Sequence, residues 1–336
     1  MPRVTQGQIA AHLGIHKSSV SLALRNSPEV SPELRKQVVQ AAVALGYQPD
    51  PVLAALSARR FNQEEHAEFS AILAYVYHDE TLQEHPLPRR FDGATARART
   101  LGYGVEAFNT AAYSSGRKAT SVLKARGVAG LIVPGIFEAS RQPQLDWEAF
   151  SGVNLGTGRY SPCYHSVLAD NFQSVRLMTE MMRLADEPRP GFALFSTPYE
   201  VDELIHLKAA CLLEQSRWKP AQRLPCLDQG HNRALFLEWF ERYRPTAIIT
   251  FSPSPCHWLQ EMGLRIPDDV RLACLNLPSQ GVEDKVLEKI SGVVNYAEVL
   301  GTVAVEMLDK LIRSHEIGPP EIPTRLLVPP KVVERE

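Results

Sequence analysis

The first 46 residues carry the punctuation of three short helices, which commits this end of the chain to an all-α unit. Thr5, with Gln8 three residues later, forms a capping box, and Ile9, Ala10 and Leu13 then share one face of a helix that Gly14 stops. In the run from Lys17 to Leu24, Val20, Ala23 and Leu24 fall on one face, while Lys17, Ser18, Ser21 and Leu22 turn away. Asn26-Ser27-Pro28 breaks this second helix. Ser31 caps a third, with Pro32 at its first position, where the missing N–H costs nothing. Leu34, Val38, Ala41, Ala42 and Leu45 make its apolar stripe, and Gly46 ends it. Two short helices joined by a glycine turn, with a third across them, predict a helix-turn-helix unit.

The outward face of the second helix suits a major groove. Lys17 reaches guanine acceptors, Ser18 donates or accepts, and Leu22 touches a thymine methyl. A helical protein-interaction module fits the same pattern. The charge distribution bears on that choice. Across the 336 residues, 36 Lys+Arg against 38 Asp+Glu give a net −2, which by itself argues against a nucleic-acid partner. Residues 1–60, however, carry Arg3, Lys17, Arg25, Arg35, Lys36, Arg59 and Arg60 against Glu29, Glu33 and Asp50, a local +4 that leaves −6 on the rest. A basic module ahead of an acidic body is what a phosphate-binding headpiece on a larger domain presents.

Tyr47-Gln48-Pro49-Asp50-Pro51 reads as extended, because each proline restricts the residue before it. Asp50 then caps and Pro51 starts a brief apolar helix over 52–58, holding Leu53 and Leu56. About two turns are too few to persist alone in water, so this segment folds against a partner or serves as a linker. A leucine there, followed by Arg59-Arg60, fits a wedge between base steps of a minor groove.

Taken together, Val4-Thr5, Ile9-Ala10, Leu13-Gly14-Ile15, Ser19-Val20-Ser21, Ala23-Leu24, Val30-Ser31-Pro32-Glu33, Arg35, Ala41-Ala42, Leu45-Gly46-Tyr47 and Pro49-Asp50-Pro51 resemble the DNA-binding and hinge region of the LacI/GalR family of bacterial repressors. The resemblance implies a homodimer on a palindromic double-stranded operator, with paired hinge helices inserting Leu56 into the central minor groove. It implies base reading by Lys17, Ser18 and Leu22, and backbone contacts from Thr5, Ser21, Asn26, Ser31 and Tyr47. Leu22 stands where an arginine is often found, so no known half-site is transferred.

Beyond residue 66, strand-like and helix-like segments alternate. Strands are expected at 69–77, 103–108, 128–134, 151–156, 165–169, 191–196, 246–251, 270–276, 291–294 and 324–328. Amphipathic helices such as 91–101, 118–125, 172–184, 204–214 and 234–242 lie between them. Alternation at this spacing predicts an α/β fold of parallel sheets covered on both faces, and so many strands are better housed in two lobes than in one. Ala169-Asp170-Asn171, the run from Gly263 to Val270, and Leu300-Gly301 ahead of Ala304 and Met307-Leu308 are similar to the periplasmic-binding-protein-like effector domain of that family. The expected layout is a headpiece at 1–48, a hinge helix and linker at 49–66, and a two-lobed effector-binding and dimerisation domain at 67–336. Its N-lobe spans about 67–160 plus 296–320, and its C-lobe about 161–295 plus 321–336.

In such folds a ligand lies at strand C-terminal ends and helix N-termini. Tyr77, His78, Arg159, Asp170, Asn171 and Asn276 are the effector-binding candidates, with Asp170-Asn171 best placed because it ends a strand and begins a helix. Asn276 stands where the family usually carries an aspartate that grips a sugar. An amide replaces a carboxylate in hydrogen bonding but not in charge, so sugars, sugar acids and nucleobases all stay open as effectors.

No Walker loop, His-Glu-x-x-His or Gly-x-Ser-x-Gly occurs, and neither the ten histidines nor the five cysteines show metal spacing, so no enzyme, cofactor or metal is expected. The cysteines read as buried thiols of a reducing compartment. With no apolar leader and no run of about 18 apolar residues, the chain reads as cytoplasmic with no membrane partner. Only about eight residues follow the last expected strand, which predicts a dimer without a tetramer-forming heptad tail. Regulation by a protein partner remains an alternative, and a solute-binding protein a more distant one.

Overall fold

The computed structural model describes residues 5–24, 30–45, 71–79, 88–135, 139–156, 158, 160–184, 189–194, 201–228, 232–277, 287–294 and 297–335. The expected hinge helix, with Leu53 and Leu56, lies outside the described residues, as do Asn26, Tyr47 and Arg159. The chain packs as two compact units, residues 1–67 and 68–336.

In the first unit α1 (Gln6–Leu13), α2 (Lys17–Leu24) and α3 (Pro32–Ala44) surround one small core. The capping box forms at α1: the Gln8 amide donates to Thr5 Oγ1 at 3.4 Å, and the Thr5 amide donates to Gln8 Oε1 at 2.8 Å. Gly14 then takes a left-handed conformation, φ 66°, which a side-chain-bearing residue rarely adopts. At α3 the Leu34 amide donates to Ser31 Oγ, and Pro32 occupies the first turn. Ile9, Val20, Ala23, Val38, Ala41 and Ala42 are buried together, which is the side the sequence periodicity assigned to the core, and Val30 joins them from the segment before α3. A core this small is held as much by its caps and turn as by burial.

The second unit is built on two sheets. The first has strand order β10-β5-β4-β3-β1-β2, from β1 (Ala71–Tyr77), β2 (Tyr103–Asn109), β3 (Val128–Pro134), β4 (Ser151–Leu155), β5 (His165–Ala169) and β10 (Arg325–Val328), all parallel. The second has order β11-β9-β8-β7-β6, from β6 (Pro190–Ala193), β7 (Ala247–Thr250), β8 (Arg271–Leu277), β9 (Ser291–Val294) and β11 (Val332–Val333). Only β11 runs antiparallel, against β9. Side-chain alternation divides each sheet between two cores. From β1, Leu73 and Tyr75 pack under α4 (Pro88–Thr100) and α10 (Ala297–Ser314), while Ala74 and Val76 pack on the opposite side, toward α5 (Gly116–Ala125). In the second sheet, Phe192, Ile249 and Leu275 meet α6 (Asn171–Leu184) and α7 (Val201–Ser216). Ile248, Leu272 and Cys274 meet α8 (Arg233–Tyr243) and α9 (Ser254–Glu261).

Two expectations are corrected. The expected C-lobe included 161–169 and 321–328, yet β5 and β10 belong to the first sheet. The chain crosses later, at Asp170, because Val175, Met178 and Met182 of α6 bury against the second sheet while Val167 of β5 buries in the first. It returns between β9 and α10, then crosses again between β10 and β11. The cysteines are also not uniformly buried: Cys163 is exposed, on the turn between β4 and β5, and Cys226 is half-buried.

Candidate functional sites

On the headpiece, Lys17 is exposed at the start of α2. Leu22 is half-buried and packs against the headpiece core, so its side chain is shared between core and surface rather than turned fully outward. The side chains of Ser18 and Ser21 lie outside the described residues. Thr5 and Ser31 sit at helix N-termini, each accepting a backbone N–H, and a capping hydroxyl keeps its own proton for a further acceptor. Thr5 Oγ1 already donates to Gln8 Oε1 at 3.2 Å. Helix N-termini are favourable places for phosphate, since their N–H groups and dipole both present positive charge.

The second site is the rim formed by strand C-terminal ends. The crossings leave from the ends of β5, β9 and β10, so the two sheets are joined along this rim. Two of the crossing segments are tied directly: the Asp170 amide donates to Val328 O at 2.9 Å. Asp170 caps α6, accepting from the Gln173 amide at 2.9 Å, and Asn171 is the half-buried first residue of that helix. The ordinary capping role therefore accounts for one Asp170 oxygen. Asn276, half-buried, is the penultimate residue of β8. At the neighbouring end of β7, the Thr250 hydroxyl donates to Ser252 O at 2.9 Å, and the Ser252 and Ser254 hydroxyls lie 3.0 Å apart at the start of α9.

At the end of β1, Tyr77 is buried and His78 half-buried. His78 Nδ1 lies 2.8 Å from Thr110 Oγ1, and that hydroxyl lies 3.2 Å from Tyr77 O, to which it donates. The Asn109 side chain locks the chain on either side: its Oδ1 accepts from the amides of Asp79 (3.2 Å) and Ala111 (3.0 Å), and its Nδ2 donates to Asp79 O (2.9 Å). Asp79, buried, pairs with Arg141 at 3.1 Å. Arg90, in the first turn of α4, donates to Leu155 O at the end of β4. Sequence reading missed Asn109, Thr110 and Arg141. The parallel register that sets Tyr77 beside Asn109 brings Asn109 and Thr110 to the end of β1, and the ion pair with Asp79 brings Arg141 there from beyond β3; both are tertiary facts. The candidates at 77–78, 170–171 and 276 thus all lie at strand ends of the joined rim.

Among the described residues no three His, Cys, Asp or Glu side chains gather as a metal site, and no helix is long and apolar enough to cross a membrane. Residues 206–336 match the model of the periplasmic binding protein-like domain. No curated protein matches the chain. Among solved structures, the Lac repressor dimer bound to operator and the anti-inducer ONPF superposes with TM-score 0.58 at 18% identity, covering 99% of this chain and 98% of that one. The complex of the transcriptional regulator CelR with cellobiose gives 0.56 at 17%, covering 99% of both chains. The fold is that of the LacI-family regulators. A putative LacI-family regulator from Rhizobium etli matches at TM-score 0.58 and 18% identity over 79% of this chain and 97% of its own. A LacI-type body is thus recognisable with a shorter aligned span, and the Lac repressor match extends over the headpiece as well.

Proposed function

We propose that this chain is a sequence-specific DNA-binding transcription regulator, a cytoplasmic homodimeric repressor controlled by a small polar effector held at the joined rim. The observation that carries this reading is the pairing, in one chain, of a capped three-helix headpiece with a two-sheet LacI-type body. The likeness to an operator-bound dimer over 99% of the chain supports it, as does the +4 charge confined to residues 1–60. Each headpiece places α2 in a major groove, with Lys17 and Ser18 reading bases and Leu22 at the margin of that surface. Thr5, Ser21, Asn26, Ser31 and Tyr47 hold phosphates, and paired Leu53 and Leu56 open the central minor groove. An effector with different affinity for two arrangements of the lobes shifts the population that binds operator, and that difference is the whole of its leverage.

The test is selection from random duplexes with the full chain and with Lys17→Ala. A two-fold symmetric site is expected for the parent, and Lys17→Ala should relax its base preference more than it lowers non-specific affinity. The same site returned by both proteins removes Lys17 from the reading surface, and no enriched site removes the DNA-binding function.

A further inference from the structure

Two histidines lie within residues 1–60, His12 and His16, and both stand on the helix-turn-helix. His12 is exposed in the last turn of α1. His16 is exposed immediately before Lys17. Its carbonyl accepts the first bonds of α2, from the Ser19 amide at 3.0 Å and the Val20 amide at 3.3 Å. His16 therefore occupies the N-cap position of the helix whose N-terminal residues face base edges and phosphates in a major groove. The charged groups nearby are mostly of one sign. α1 and α2 hold no carboxylate, Lys17 adjoins His16, and α3 brings Arg35 and Lys36 with the single acid Glu33.

We propose that His16 makes operator binding proton-linked: each headpiece takes up a proton at His16 as DNA phosphates approach the start of α2. The inference rests on the DNA-binding reading of the headpiece and adds pH as a regulator of that same surface. Histidine is the side chain whose ordinary charge change falls between pH 5 and 8. An opposite charge within about 4–6 Å favours its charged form, so the complex binds more protons than the free chain does. The proton comes from solvent and adds one cation per headpiece to the phosphate-facing surface. Charging both histidines takes residues 1–60 from +4 to +6, a large change for so small a module. The helix ends decide between the two. Phosphate is favoured at a helix N-terminus, where His16 stands, and disfavoured at a C-terminus, where His12 stands. A group that gains a proton on complex formation gives an affinity that is highest at low pH and falls as pH rises through its charge change.

The experiment titrates the full chain into a labelled duplex recovered by selection from random sequences, at fixed ionic strength, between about pH 5.5 and pH 8. The parent should bind roughly tenfold more tightly at the acidic end, the worth of about one charge-assisted contact. Its logarithmic salt slope should be steeper there by about 2 per dimer. His16→Gln should bind with little dependence on pH. His16→Arg, a permanent cation at the same place, should bind tightly across the range, and His12→Gln should follow the parent. All three positions of change are on exposed side chains, so the headpiece core is left as it is. A parent whose affinity is flat with pH overturns the role of His16, as does dependence that persists in His16→Gln or vanishes in His12→Gln. Each of those results leaves the DNA-binding reading standing. Failure to recover any duplex, or no specific binding at any pH, counts against both.

Discussion

At Asp269 the carboxylate receives the Arg265 side chain through two hydrogen bonds of 3.0 and 2.8 Å, and the Arg265 amide through a third of 2.8 Å. These bonds favour the charged form, and the Arg265 side-chain bonds do most to hold the carboxyl at about 2, below its ordinary 3.8. A depressed carboxyl contributes stability above its unfolded value and loses it as pH falls through the folded one. The advantage of the parent over Asp269→Asn should therefore be full at neutral pH and fade between about pH 4 and pH 2, read from urea midpoints. A difference that persists unchanged at pH 2 would show that the pair is not responsible. The pair exists because Arg265 and Asp269 flank one turn at i, i+4, a spacing visible in the sequence. At His78 the opposite holds: its partner Thr110 is 32 residues away. Nothing local in the sequence marks Thr110 as a partner, and the β1–β2 register places it there.

Among the elements, α4 and α10 cross closely. A Cβ on Gly93 would stand 2.0 Å from Glu298 O, and one on Gly301 would stand 2.0 Å from Arg90 O and 2.7 Å from the Ala94 amide. Both obstacles are backbone, so the helices would have to separate. Alanine gains about 1 kcal/mol over glycine in a helix interior, whereas forcing a methyl into a packed contact costs about 1–3 kcal/mol and more against rigid backbone. The clash wins. Gly301→Ala should destabilise the chain by roughly 2 kcal/mol, seen as a lower urea midpoint with unchanged slope. A raised midpoint would mean that the helices adjust without strain and that propensity decides. In sequence, Gly93 reads only as a weak point in the helix expected at 91–101, because close approach is a property of two helices.

The strands at 103–109, 128–134, 165–169 and 291–294 were legible within a residue from alternation and apolar runs bounded by turns. The two residues of β11 carry no periodic signal at all. The sheet that owns β5 and β10 was not legible either, since which strand pairs with which is a long-range choice that a strand's own residues do not record.

For the whole molecule, the net −2 averages a +4 headpiece region and a −6 body. If operator binding works through phosphate contacts of that basic region, affinity should fall linearly with salt on logarithmic axes, at least tenfold between about 50 and 200 mM. Gel-shift titrations across that range check it, and a flat response would leave the basic residues without a role in binding.

The sequence alone determined the local structure: caps at Thr5 and Ser31, the left-handed turn at Gly14, the apolar stripes, and the alternation that makes an α/β body. Each is written within a few residues, where propensity and hydrogen bonding act. Tertiary structure alone decided that the chain crosses at Asp170 rather than earlier, that Gly93 and Gly301 each face the backbone of the other's helix, that Leu22 leans into the headpiece core, and that Thr110 lies beside the ring of His78. Those outcomes depend on strand order, register and helix packing, in which residues far apart in the chain become neighbours through burial shared by whole faces.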